Sequence, residues 1–70
     1  MTQKEQILKH LRKGPITTWK AMNLYGVMRL SERIRELGYD GHDIEVERIR
    51  IKTRHGWTRI ARYWLVREAV

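Results

Sequence analysis

Seventy residues make one domain, 1–70, and a chain this short buries only about 60% of its unfolded surface, so self-association would help its core. The absence of cysteine excludes disulfides, cysteine-ligated zinc and thiol chemistry and fits a reducing cytoplasm. No apolar run approaches the roughly 18 residues of a membrane span, and Met1 to Lys9 is too polar for a signal peptide. A formal net charge of +7 concentrates polyanions, of which nucleic acid is the commonest in a cytoplasm.

In chain order, Ile7, Leu8 and Leu11 give an amphipathic stripe for a first helix. Thr2 with Glu5 fits a capping box, Gly14-Pro15 stops the helix, and Lys9, Arg12 and Lys13 complement its dipole. Ile16 is a short connector, and Thr17 is a good N-cap for a second helix whose buried side is Ala21, Leu24 and Tyr25. Trp19 is assigned to core or dimer packing. Gly26 ends this helix by taking the left-handed conformation of a tight turn. Val27, Leu30, Ile34 and Leu37 then recur at helical spacing, with Gly38 closing a third helix over 28–37. Two helices joined so tightly cross steeply, as in a helix-turn-helix unit.

From Ile44 the period becomes two. Ile49 and Ile51 alternate with Arg48, Arg50 and Lys52, and Ala61, Tyr63 and Leu65 alternate with Arg62 and Trp64. Ile44 and Val46 are out of phase with Ile49 and Ile51, which predicts a bulge near Glu47-Arg48. Arg54-His55-Gly56-Trp57 supplies the hairpin tip, with Gly56 at positive φ. The expected fold is therefore α+β, a winged helix-turn-helix of three helices followed by a two-stranded β-hairpin wing.

The run from Ile16 to Leu37, including Ala21, Tyr25-Gly26, Arg29-Leu30 and Ile34, with Ala61-Arg62-Tyr63-Trp64-Leu65 as a last strand, resembles a family of small helix-turn-helix domains common in bacteriophage and prophage proteins. The turn glycine lies five residues after Ala21, which resembles the winged variety more than the phage-repressor variety. Leu37-Gly38-Tyr39 departs from the family pattern in lacking a basic residue, which implies fewer phosphate contacts there. The resemblance implies DNA binding and a regulatory role in a bacterial host cytoplasm.

Charge placement points to the same groups. Arg48, Arg50, Lys52, Arg54, Arg59, Arg62 and Arg67 are accompanied by no Asp or Glu between Arg48 and Arg67, and the acids gather in Asp40, Asp43, Glu45 and Glu47. The far side of the third helix carries Met28, Arg29, Glu32, Arg35 and Glu36, flanked by Ser31 and Arg33. A recognition helix uses such residues on base edges: Arg29 and Arg33 would bond guanine, Glu32 cytosine N4, and Ser31 either role. Glu32 and Glu36 also suit intrahelical pairs with Arg29, Arg33 and Arg35. Thr18 and Lys20 at the second helix's N-terminus are candidate phosphate contacts. Lys52, Arg54, His55 and Arg59 cluster at the hairpin tip, where a wing reaches the backbone or the minor groove. Trp57 is placed to stack on a sugar or fold back, and Arg48, Arg50, Arg62 and Trp64 are expected to share the outward sheet face.

Catalytic readings find no support in the sequence. His10, His42 and His55 have no metal-ligand spacing, and Asp40-Gly41-His42-Asp43 lacks the ligand series of a calcium loop. No phosphate-binding glycine loop follows a strand. A non-enzyme without metal or cofactor is expected, with double-stranded DNA as partner and no membrane role. Two other readings are an excisionase-like architectural factor that bends DNA, and an inhibitor module binding a host or phage protein. A homodimer suits the first reading.

Overall fold

The computed structural model describes residues 2–69. Its elements are α1 (Gln3–Lys13), β1 (Ile16–Thr17), α2 (Thr18–Tyr25), α3 (Leu30–Tyr39), β2 (Asp43–Thr53) and β3 (Gly56–Arg67). Each helix start reflects local chemistry. Thr2 is extended and its side chain accepts from the Glu5 N–H at 3.2 Å. Thr17 does the same for Lys20 N–H at 3.0 Å. In both cases a hydroxyl satisfies a donor that the first helical turn leaves without a partner.

Ile16 is more than a connector. With Thr17 it forms a third strand antiparallel to β3, with Ile16 opposite Tyr63 and Thr17 opposite Arg62, so the sheet order is β1-β3-β2. Two residues are too few to show an alternation, which is why the sequence suggested two strands. Ile16 is completely buried, in one cluster with Ile7, Leu11, Ala21, Val27, Leu30 and Leu37.

Gly26 closes α2 in the left-handed conformation, with φ 67 and ψ 20. Its N–H donates to the Met22 carbonyl at 3.0 Å, and the Val27 N–H reaches the Ala21 carbonyl at 3.2 Å. The first bond, from Gly26 to the carbonyl four residues earlier, is an αL closure. Ala21 and Tyr25, four apart, carry the packing. Leu24 falls outside that line and is 58% exposed, so its expected burial is corrected. Trp19 is half exposed and is not a core residue either.

The third helix is shifted from its expected span. Val27 is buried, yet Val27 to Arg29 belong to the turn, and α3 runs Leu30–Tyr39 instead of 28–37. The three-residue spacing of Val27 and Leu30 looks helical although the αL closure at Gly26 keeps Val27 outside the helix. At the other end the helix passes through Gly38, and Gly41 takes the positive φ of 99. The Gly41 N–H bonds the Gly38 carbonyl at 3.0 Å, and the His42 N–H bonds that of Leu37 at 3.1 Å. A Cβ on Gly41 would stand 3.3 Å from the Ala69 Cβ, so a side chain there is both strained and crowded.

In the hairpin the one irregularity among the described pairs lies between Asp43 and Ile44, not near Glu47-Arg48. Beyond it the register is continuous: Ile44 faces Leu65, Val46 faces Tyr63, Arg48 faces Ala61, Arg50 faces Arg59 and Lys52 faces Trp57. Alternation then places Ile44, Val46, Arg48, Arg50 and Lys52 on one face, here the front, and Glu45, Glu47, Ile49 and Ile51 on the back. Ile44, Tyr63 and Leu65 pack on the helical core from the front face. Arg62 and Trp64 lie on the back, so the expected sharing of one face by Arg48, Arg50, Arg62 and Trp64 is corrected. The tip is the two-residue link Arg54-His55, and Gly56 takes the positive φ of 115. Thr53 Oγ1 accepts from the His55 N–H at 3.2 Å and donates to the Gly56 carbonyl at 2.9 Å.

Polar ties hold the periphery. The Pro15 carbonyl can only accept, so His10 Nε2 donates to it at 3.2 Å and Nδ1 accepts from the Tyr25 hydroxyl at 2.8 Å. Arg12 forks onto Glu68 at 2.7 and 2.9 Å, joining α1 to the chain beyond β3. Hydrogen bonds from Arg12 hold the Glu68 carboxyl below its ordinary value of 4.5, with desolvation opposing them.

Two outcomes are expected from this packing. Ile16→Ala should cost about 2–5 kcal/mol in urea unfolding, whereas Leu24→Ala should stay within about 0.5 kcal/mol. A carboxyl with a depressed folded pKa stabilises the fold above its ordinary pKa, and that stability is lost as pH falls through the folded value. The melting temperature of wild type should therefore exceed that of Glu68→Gln at neutral pH, with the gap closing below about pH 4.5.

Candidate nucleic-acid interface

The hairpin projects from the helices, and the molecule measures 42 × 22 × 20 Å along its principal axes. Where the front face leaves the core it meets the start of α3 across an open groove of roughly 440 Å³. Thr18, Met28, Arg29 and Ser31 line one wall, and Arg48 and Arg59 line the other, over Leu30, Ile60, Ala61 and Tyr63. The tight Gly26 turn sets the first wall and the continuous register sets the second. Further along the front face come Arg50, Lys52 and Trp57. Arg50 lies over the Trp57 ring, its guanidinium carbon 5.2 Å from the centroid, and Trp57 is 61% exposed.

The electrostatics divide sharply between the two elements. Among the described residues Arg29, Arg48, Arg50, Lys52, Arg54 and Arg59 form no ion pair. On α3 the charges cancel locally: Arg35 pairs with Glu32, and Arg33 stands 3.4 Å from Glu36. On the back face Arg62 donates to Glu47 from Nε at 2.6 Å. Of the cations without an ion pair among the described residues, Arg48, Arg50, Lys52 and Arg59 lie on the front of the hairpin, Arg54 at its tip and Arg29 ahead of α3, while Lys9, Lys13, Lys20 and Arg67 lie elsewhere.

The structure brings together only part of the residue set expected from sequence. Thr18, Met28, Arg29, Ser31 and Arg59 meet in the groove, and Lys52 continues the same face. Arg54 and His55 are exposed at the tip, and Lys20 is exposed on α2 outside the groove lining. Glu32 and Arg35 lie on the outward side of α3. Arg33 does not accompany Arg29. At 100° per residue it falls on the opposite flank of α3 from Ser31, beside Lys4, Glu36 and Asp40. One contributor was missed in this role: Arg48 lines the groove instead of the outer sheet surface, as the cross-strand register would have indicated.

Other chemistries have little to work with. No group of three His, Cys, Asp or Glu among the described residues is arranged to hold a metal, and His10 and His42 are committed to Tyr25, Pro15 and Ala69. No helix among the described residues is long and apolar enough to cross a membrane. The three helices, the Gly26 turn, the projecting hairpin and the cationic groove together fit a known architecture. A family model described as a winged helix-turn-helix domain matches residues 2–68. No curated protein and no solved structure matches the chain.

Proposed function

The chain belongs to the winged helix-turn-helix domain family, and from that membership we propose that it is a sequence-specific regulator binding double-stranded DNA. The family suggests DNA binding; the observation that carries the finer reading is the groove in which unpaired Arg29, Arg48 and Arg59 flank the exposed start of α3. The beginning of α3 is presented to the major groove, and the hairpin lies along the phosphate backbone. Met28, 73% exposed, supplies an apolar contact of the kind a thymine methyl accepts, Arg29 suits guanine O6 and N7, and Ser31 takes either partner. Glu32, on the outward side of α3 and paired with Arg35, accepts from a cytosine amine once that pair opens.

The regulatory role of phage or prophage type is supported by the resemblance of Ile16 to Leu37 to small domains of such proteins. A pair of copies on a palindromic site is the arrangement most familiar for helix-turn-helix regulators.

Selection from random duplex DNA should enrich one motif, and its symmetry and half-site spacing report whether two copies bind. Failure to enrich any motif, with bending of every duplex, would favour the architectural reading. Stoichiometric capture of one protein with no motif would favour the inhibitor reading. On the enriched site Arg29→Ala should lose about 1–3 kcal/mol more than on random DNA. Arg33→Ala, altering the α1 side, should leave that discrimination intact, as competitive binding would show.

A further inference from the structure

We propose that the back face of the hairpin packs against the same face of a second copy, with the two ribbons running in opposite directions. The register places Glu45, Glu47, Ile49 and Ile51 on this face, opposite Trp64, Arg62, Ile60 and Thr58. The helices lie over the other face, where Ile44, Tyr63 and Leu65 meet the core. Ile49, Ile51, Ile60 and Trp64 neither belong to that core nor pack against it, so the helical core leaves this apolar strip without a partner. The front carries cations, which ordinarily keep an exposed ribbon from associating. The back carries isoleucines in their place.

Charge selects both the occupant and its direction. Copies of a chain with a net charge of +7 repel wherever unpaired cations meet. On the back face Arg62 is held by Glu47, and Glu45 forms no ion pair among the described residues, which leaves this face slightly negative. Two back faces can meet about a two-fold axis in either of two ways. With the ribbons in the same direction, Arg54 would meet Arg54 and Glu45 would meet Glu45. With the ribbons reversed about the Ile49–Ile60 pair, Arg54 and Glu45 stand five and four residues from the centre, about 17 and 14 Å along the strand. Each tip arginine then reaches the other copy's Glu45, beside Trp64. It does so over an open depression of roughly 490 Å³ bounded by Pro15, Glu47, Arg62 and Trp64. Between the two ion pairs, isoleucines face isoleucines as in packed sheets.

The strip from Glu45 to Thr53 is about 27 Å long and two strands wide, short of the roughly 800 Å² per partner of a standard interface. The pair is therefore weak and forms only at high concentration. Back-to-back packing also turns the two cationic fronts away from each other, so a pair holds two separate duplex segments. That consequence rests on the DNA-binding reading above, and two copies on one palindromic site would use another contact.

Sedimentation equilibrium of the free protein, from about 10 μM to about 1 mM, tests the pairing without DNA. Wild type should pass from monomer to dimer within this range. Ile49→Thr/Ile60→Thr, which keeps β-branched side chains and so strand propensity, should remain monomeric. Arg54→Glu should weaken pairing about tenfold, although it lowers the net charge and with it the general repulsion. Glu45→Arg/Arg54→Glu, of unchanged net charge, should restore it. A monomer at every concentration, a dimer unaltered by the isoleucine variant, tighter pairing of Arg54→Glu, or no recovery in the exchanged variant would each overturn the proposal. Circular dichroism confirms that folded proteins are compared. With DNA, a bead-bound duplex covered by wild type should retain a second, labelled duplex, and Ile49→Thr/Ile60→Thr should bind the first without retaining the second. Wild type that binds the first duplex and not the second would overturn the consequence for duplexes. Wild type that binds neither would remove the DNA-binding reading and leave the pairing standing.

Discussion

The β2–β3 ladder runs from Ile44 opposite Leu65 to Thr53 opposite Gly56 without an inserted residue, and most of the remaining architecture depends on that continuity. Side chains two apart share a face for as long as the register holds. The face that presents Ile44, Tyr63 and Leu65 to the helices is thus the same face that presents Arg48, Arg50, Lys52 and Arg59 beyond them. A single inserted residue midway would have sent these cations to the back and left the isoleucines beside α3. Core closure and the cationic surface are consequences of one register.

The helices need that sheet as much as they position it. Eight apolar residues among the described ones are buried, and seven form one cluster in which Ile16 of β1 sits with residues of all three helices and the Gly26 turn. A core of that size leaves little excess stability, so ties at the edges matter more than in a larger domain. Arg12 with Glu68 and His10 with Tyr25 each join segments far apart in sequence. Against them stands the opposed Arg50–Arg59 pair. That like-charged contact offsets part of what the ties contribute.

Features set by chemistry within a few residues were readable from the sequence. The caps at Thr2 and Thr17 and the left-handed Gly26 are of this kind, because a hydroxyl near a free N–H, or a missing Cβ, acts locally. Features set by long-range pairing were not. Ile16-Thr17 becomes a strand only because β3 is there to pair with it. Ile44 and Val46 are out of phase with Ile49 and Ile51 because the hairpin outruns the helices, so the distal isoleucines need not face the core, and no bulge is needed to reconcile the two pairs. Apolar spacing also could not distinguish Val27 in a buried turn from Val27 in a helix. In the interface, the cationic residue types were legible while their grouping was not. Arg29 and Arg33 look equivalent four apart, yet one lies in the turn ahead of α3 and the other on its α1 flank.

Charge balance bears on how affinity and selectivity for a duplex would be divided. An element with balanced charge can approach a polyanion without being held by it, and what it contributes then depends on the fit of its neutral and paired groups to base edges. An element with unbalanced charge is held by any duplex and discriminates little. Because α3 is charge-balanced and the front of the hairpin is not, the proposed binding mode would put the two properties on separate parts of a 70-residue chain. In that mode, attraction by the hairpin would bring α3 against the duplex before any base is read. The Glu32–Arg35 pair would have to open or turn for either partner to contact a base, and only a matching site would return the energy of the broken pair. Self-neutralisation on α3 would then be a source of selectivity.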